Sequence, residues 1–150
     1  MHHTGTRPNI PVLYEDNHLL VIDKPANVLS QGDHTGDPDV LNLCKMYLKK
    51  KYHKPGNVFL GLVHRLDRPV SGVMVMARTS KAASRLSEQV RKRDFDKLYY
   101  AVVEGITPKS GNMVHHLAKN NKTNKTEVHN KEKGCTKKAE LRYKTLKQIN

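Results

Sequence analysis

The chain has 150 residues, 37% of them hydrophobic, with 27 lysines and arginines against 14 acidic residues and a net charge of +13. That length holds one compact core, the composition excludes wholesale disorder, and no apolar run approaches the roughly 18 residues of a membrane span. Two cysteines cannot build a disulfide framework and the N-terminus has no apolar secretory stretch, so a reduced intracellular compartment is expected, cytoplasmic by default.

Met1–Pro11, with its glycine, two prolines and two histidines, reads as a flexible lead-in, and residues 12–150 as a single domain. Two short apolar pieces flank the polar Glu15–His18 turn, so Val12–Asp23 is expected to form a hairpin with Leu19–Ile22 as a buried strand. Lys24-Pro25 closes it, because proline has no N–H for a ladder, and Asn27 stands where a left-handed turn residue fits. Ser30–Gly36 reads as a polar loop. Asp37 and Pro38 have the N-cap and first-turn chemistry of a helix. Its apolar stripe is Val40, Leu41, Leu43, Cys44, Tyr47 and Leu48, and Lys49–Lys51 suit the dipole at its end. Pro55-Gly56 breaks the chain. Leu60–Val63 and Val73–Ala77 read as buried strands on either side of the loop His64–Gly72. Ser80 is the expected cap of a helix reaching about Lys92, with Ala82, Ala83, Leu86 and Val90 inward. Lys97–Val103 alternates like a strand, with Leu98, Tyr100 and Val102 on one side and Lys97, Tyr99, Ala101 and Val103 on the other. Beyond Pro108, Asn112–Leu117 and Ala139–Ile149 read as strands, and Lys119–Lys133 as a mobile basic loop. The sum is a strand-rich α+β domain.

The charge is uneven. Ten basic residues face seven acidic ones through Ser80, and seventeen face seven from Lys81 onward. That excess fits a polyanionic partner, RNA or DNA, better than a merely solvated surface. The densest constellation is His64-Arg65-Leu66-Asp67-Arg68, on a loop anchored by a strand at each end. A carboxylate between two arginines is expected to be ionised, and an ionised, oriented Asp67 suits nucleophilic or general-base work. A salt-bridged corner would use the same residues, and the residues alone leave both readings open. No phosphate-cradling glycine loop or dinucleotide pattern occurs. His115, His116, His129 and Cys135 lack zinc-ligand spacing and read better as part of a polar, RNA-facing loop. Tyr47 and Tyr52 flank the lysine run as base-stacking residues would, but Tyr47 also belongs to the apolar stripe.

His64–Gly72, which is His-Arg-Leu-Asp-Arg-Pro-Val-Ser-Gly, closely resembles the signature of RluA-type pseudouridine synthases. Tyr14-Glu15-Asp16-Asn17-His18 with Leu19–Pro25 resembles the family's opening strand and Lys-Pro turn. Lys97–Gly105 is similar to its Lys-x-Tyr-x-Ala strand, and Lys138–Tyr143 to a later strand. The match runs in order from Val12 to the C-terminus. Asn27 stands where the family usually has glycine, and Val70 where threonine is common. The resemblance implies a mixed, mainly antiparallel sheet with flanking helices. It also implies isomerisation of uridine to pseudouridine in ribosomal or transfer RNA, with no cofactor and no metal. It makes Asp67 the nucleophile or base and Tyr99 the residue that stacks on the target base. Arg65 would fill the space left by the flipped base. Lys97, Arg68 and Lys24 would meet phosphates. The chain reaches Asn150 before the Thr-Gly-Arg-x-His-Gln-Ile-Arg segment that such enzymes carry. A catalytically silent, RNA-binding form of the fold is therefore the second reading. A chain ending here is expected to be less stable, to self-associate through a bare strand edge and to turn over little.

Overall fold

A computed structural model describes residues 8–120, 123 and 125–148, so residues 1–7 of the expected lead-in and Ile149 lie outside it. The chain divides into two units, Met1–Leu98 and Tyr99–Asn150, each with its own antiparallel sheet. Among the described residues no helix is long and apolar enough to cross a membrane.

In the first unit four strands, β1 (Val12–Glu15), β2 (Leu19–Lys24), β3 (Gly61–Leu62) and β4 (Gly72–Ala77), take the order β1-β2-β4-β3. Alternation along β2 and β4 builds the core. Leu20 lies opposite Met76 and Ile22 opposite Met74, and none of the four has exposed surface. Helix α1 (Val40–Lys51) adds Val40, Cys44 and Leu48, four residues apart along one face, and Val28, Val58, Leu60 and Leu66 complete the cluster. Each such side chain contributes about 1.5–3 kcal/mol by leaving water. Burial, with the nearby Asp39 carboxylate, pushes the Cys44 thiol up to about 12, so it packs as a small hydrophobe.

Both helix caps differ from expectation by a residue or two. Asp39, not Asp37, caps α1: its backbone is extended and its carboxylate accepts the Asn42 N–H at 3.0 Å. Pro38 then precedes the cap, and Asp37 is left for another partner. Thr79, not Ser80, caps α2 (Ser80–Lys92), with Oγ1 accepting the Ala82 N–H at 3.2 Å. Ala82, Ala83, Leu86 and Val90 do form its inner stripe, but they are only half-buried. Gly61 lets α2 close on β3, since a Cβ there would stand 3.1 Å from that of Ala83.

Lys97–Val103 forms no strand. It has no ladder partner among the described residues, and alternation without cross-strand hydrogen bonds does not hold a segment as sheet. Leu98, Tyr100 and Val102 are 87%, 83% and 100% exposed.

The second unit is a three-stranded sheet of β5 (Ser110–Asn120), β6 (Lys125–His129) and β7 (Lys137–Lys144) in the order β6-β5-β7. Much of the expected mobile loop at Lys119–Lys133 is strand, with Lys119 and Asn120 ending β5 and Lys125–His129 forming β6, while residues 121, 122 and 124 lie outside the described residues. Thr126 and Val128 alternate with charged residues, and five pairs from His116–His129 to Asn120–Lys125 zip β6 onto β5. By register Met113, Leu117, Val128, Ala139, Leu141 and Tyr143 share one face. His115 lies on that face with them, whereas His116 and His129 lie on the other, so alternation scatters the histidines. No described residue of this unit is fully buried.

Candidate active site

The loop His64–Gly72 leaves β3 and returns as β4, and its backbone is pinned on both sides of Asp67. On one side Ser30 Oγ donates to the Leu66 carbonyl at 2.5 Å and accepts the Leu66 N–H at 3.2 Å. On the other side the Arg68 carbonyl accepts the Asn27 N–H at 2.7 Å and the Lys24 ammonium at 3.2 Å. The Asp67 carbonyl closes a turn by accepting the Val70 N–H at 3.0 Å. Asn27 meets Arg68 from a left-handed conformation, φ 66, which asparagine tolerates better than most residues. Gly72, at φ 135, begins β4 opposite Lys24 where a side chain would be strained. The Asp67 side chain itself is exposed and makes no hydrogen bond or ion pair among the described residues. A carboxylate held by its neighbours' backbone with its own lone pairs free is what nucleophilic or general-base chemistry requires.

His64 fixes the loop's entry. Its Nε2 accepts the Val75 N–H at 3.0 Å, which extends the β4 ladder beyond the two residues of β3. That bond needs a neutral ring. Burial, with the field of Lys97, holds its pKa below the usual histidine value.

Two of the sequence-derived site residues take other places. Lys24 is not a phosphate contact, because it has no exposed surface. Leu20, Ile22 and Lys24 share the inward face of β2, so the alternation that buries the leucine and isoleucine buries the lysine too. Its ammonium donates to the carbonyls of Val28 at 2.7 Å, Pro25 at 3.0 Å and Arg68 at 3.2 Å. Burial lowers its pKa, and the charge of the Asp67 carboxylate works against that shift. Arg68 does not bracket Asp67. Its Nη2 pairs with Asp37 at 2.8 Å and its Nε donates to the Asn27 carbonyl at 3.3 Å. Arg65 points to solvent with no ion pair among the described residues, and Lys97 is likewise exposed. Tyr99 belongs to the second unit, 59% exposed, on the segment without a ladder. The sequence marks Ser30 only as the start of a polar loop and Asp37 only as a cap, with no sign of either's part in the site. A loop serine clamping a backbone 36 residues away leaves no local signal.

The profile of the RNA pseudouridylate synthase family matches residues 18–150. A ribosomal large subunit pseudouridine synthase D of Xanthomonas campestris is 44% identical over 100 residues, 67% of this chain and 30% of the relative. A ribosomal large subunit pseudouridine synthase C of Buchnera aphidicola is 39% identical over 97 residues, 65% of this chain and 29% of the relative. The solved structure of human RNA pseudouridylate synthase domain containing 4 superposes with a TM-score of 0.69 at 20% identity, covering 93% of this chain and 54% of that one. The chain thus spans about 30% of the length of these curated relatives. Profile, sequence relatives and fold agree, and the chain belongs to the RNA pseudouridylate synthase family.

Proposed function

We propose that Asp67 is the catalytic carboxylate of an isomerase that converts uridine to pseudouridine in structured RNA, ribosomal or transfer. The observation that carries this reading is the free carboxylate on a loop pinned at Leu66 and at Arg68. In the reaction Asp67 starts cleavage of the bond from the sugar to the uracil nitrogen; the base turns and rejoins through C5, the C5 proton leaves to solvent, and the freed nitrogen takes up a proton. Tyr99 stacks on the target base. Arg65 occupies the space the base leaves, since a base inside a helix must be unstacked before it reacts. Lys97, exposed and without an ion pair among the described residues, meets a phosphate. Lys24, buried, serves the loop instead, and Arg68, exposed beside Asp37, is a second phosphate contact. The relatives named for the ribosomal large subunit favour ribosomal RNA as the substrate class.

Asp67→Asn keeps the shape and removes the charge and the nucleophile. Tritium release from uridine-labelled RNA is expected to fall by at least about four orders of magnitude, the scale on which losing a nucleophile acts. RNA affinity and melting temperature are expected to stay near wild type. Wild-type turnover in Asp67→Asn would overturn the assignment, and a wild-type chain that binds RNA without releasing tritium would favour the silent, RNA-binding reading.

A further inference from the structure

The second unit's sheet carries a recess of its own, of about 400 Å³, lined by Leu117, Lys119, Thr126, Cys135, Lys137, Lys138 and Ala139. Register explains its make-up. Leu117 pairs with Lys137, Lys119 with Thr126 and His115 with Ala139, so five of the lining residues project from one face of three adjacent strands. Cys135 is held at the rim by the turn before β7, where the Lys133 carbonyl accepts the Thr136 N–H at 2.8 Å and Lys133 N–H returns to Thr136 Oγ1 at 3.0 Å. Lys138 is paired with Glu140 at 3.3 Å. Lys119 and Lys137 have no ion pair among the described residues, and no carboxylate lines the recess.

Two unpaired ammonium groups over an apolar floor select against a cation and against a wholly apolar ligand. They fit an anion with a flat apolar part. The volume lies in the range of ligand pockets, about 300–1,000 Å³. Around it the second unit carries eleven basic residues against four acidic ones, a field that extends past a single small anion. We infer that this recess seats one nucleotide of bound RNA, its base on Leu117 and Ala139 and its phosphates on Lys119 and Lys137. The inference rests on the RNA reading above and adds to it a second contact, built by the β5–β6–β7 sheet.

Cys135 makes the recess directly observable. It is the one exposed thiol, since Cys44 is buried. In the full chain, maleimide modification of Cys135 is expected to slow about tenfold when a short uridine-rich single-stranded RNA stands about tenfold above its Kd, because only the free fraction reacts. Inorganic phosphate at the same concentration is expected to leave the rate unchanged. Lys119→Gln with Lys137→Gln is expected to make the slope of log K against log salt shallower by about 1.4, at about 0.7 per phosphate, while Lys119→Arg with Lys137→Arg keeps the wild-type slope. RNA binding with Cys135 unprotected and the slope unchanged in the Gln pair would overturn the recess and leave the RNA reading standing. Equal protection by phosphate would also overturn it, as a simple anion site. A chain with no RNA affinity would overturn both.

Discussion

Lys24 is accommodated without solvent because its ammonium donates to three carbonyl oxygens. Those carbonyls belong to the segment after the Lys-Pro turn and to the His64–Gly72 loop, so one ammonium joins two segments 44 residues apart. Lys24→Met keeps the stem and strands the carbonyls. It is expected to cost about 2–4 kcal/mol by urea unfolding, the range for losing a charged buried donor. Ser30→Ala removes the partner of both polar groups of Leu66 and is expected to cost about 1–2 kcal/mol. Turnover is expected to fall in both, with RNA affinity little changed. A Lys24→Met variant as stable as wild type would show that the three carbonyls do not depend on the ammonium.

Among the elements, β1, α1 and the end of β4 meet at Glu15. Its carboxylate accepts from Tyr52 at 2.5 Å, Lys51 at 2.8 Å, Tyr47 at 2.9 Å and Arg78 at 3.0 Å. Arg78 also donates to the Asp16 carbonyl and lies 4.7 Å from the centre of the Tyr52 ring. The two tyrosines that resemble base-stacking residues are thus bound into the clasp by their hydroxyls. Burial works against the charge on Glu15, but the hydrogen bonds from Lys51, Tyr52 and Tyr47 outweigh it and lower the pKa from 4.5 to about 2. A carboxyl with a depressed pKa contributes stability that is full above pH 4.5 and is lost as pH falls through about 2. The contribution is at most about 3.5 kcal/mol, at about 1.4 kcal/mol for each pH unit between the two values. Urea midpoints followed down this window are expected to drop in wild type and to drop less in Glu15→Gln. Parallel curves would place the acid sensitivity elsewhere.

At the scale of the whole molecule, the charge of +13 bears on the proposed RNA contact. Log K is expected to fall linearly with log salt, and changing Lys125, Lys131 and Lys133 together to Gln is expected to flatten the slope by about 2, at about 0.7 per lost phosphate contact. An unchanged slope would make those lysines a solvated surface. The division into two units has its own test. The boundary at Leu98–Tyr99 falls in a segment with no ladder, where Leu98, Tyr99 and Tyr100 are exposed. Backbone without regular hydrogen bonds is cut first, so brief chymotrypsin treatment is expected to cleave at these residues before any site in β2 or β4. A first cut inside those strands would contradict it.

What the sequence determined by itself was local or periodic. The two-residue period placed Leu20 and Ile22 inward, the helical stripe placed Val40, Cys44 and Leu48 on the core, and the left-handed tolerance of asparagine marked Asn27. The His-Arg-Leu-Asp motif, with the ordered blocks around it, marked the family. The tertiary structure decided the rest. Asp39 rather than Asp37 became the cap, although both stand before the apolar stripe. Lys97–Val103 has a strand's alternation without a strand, and Lys125–His129 is a strand despite its polarity, because a ladder depends on the neighbour and not on the segment alone. Arg68 turned to Asp37, Lys24 reached the Arg68 carbonyl 44 residues away, and Glu15 gathered four partners from as far as 63 residues away. Such contacts are set by how distant segments pack, and no window of sequence short enough to read as a pattern contains both partners.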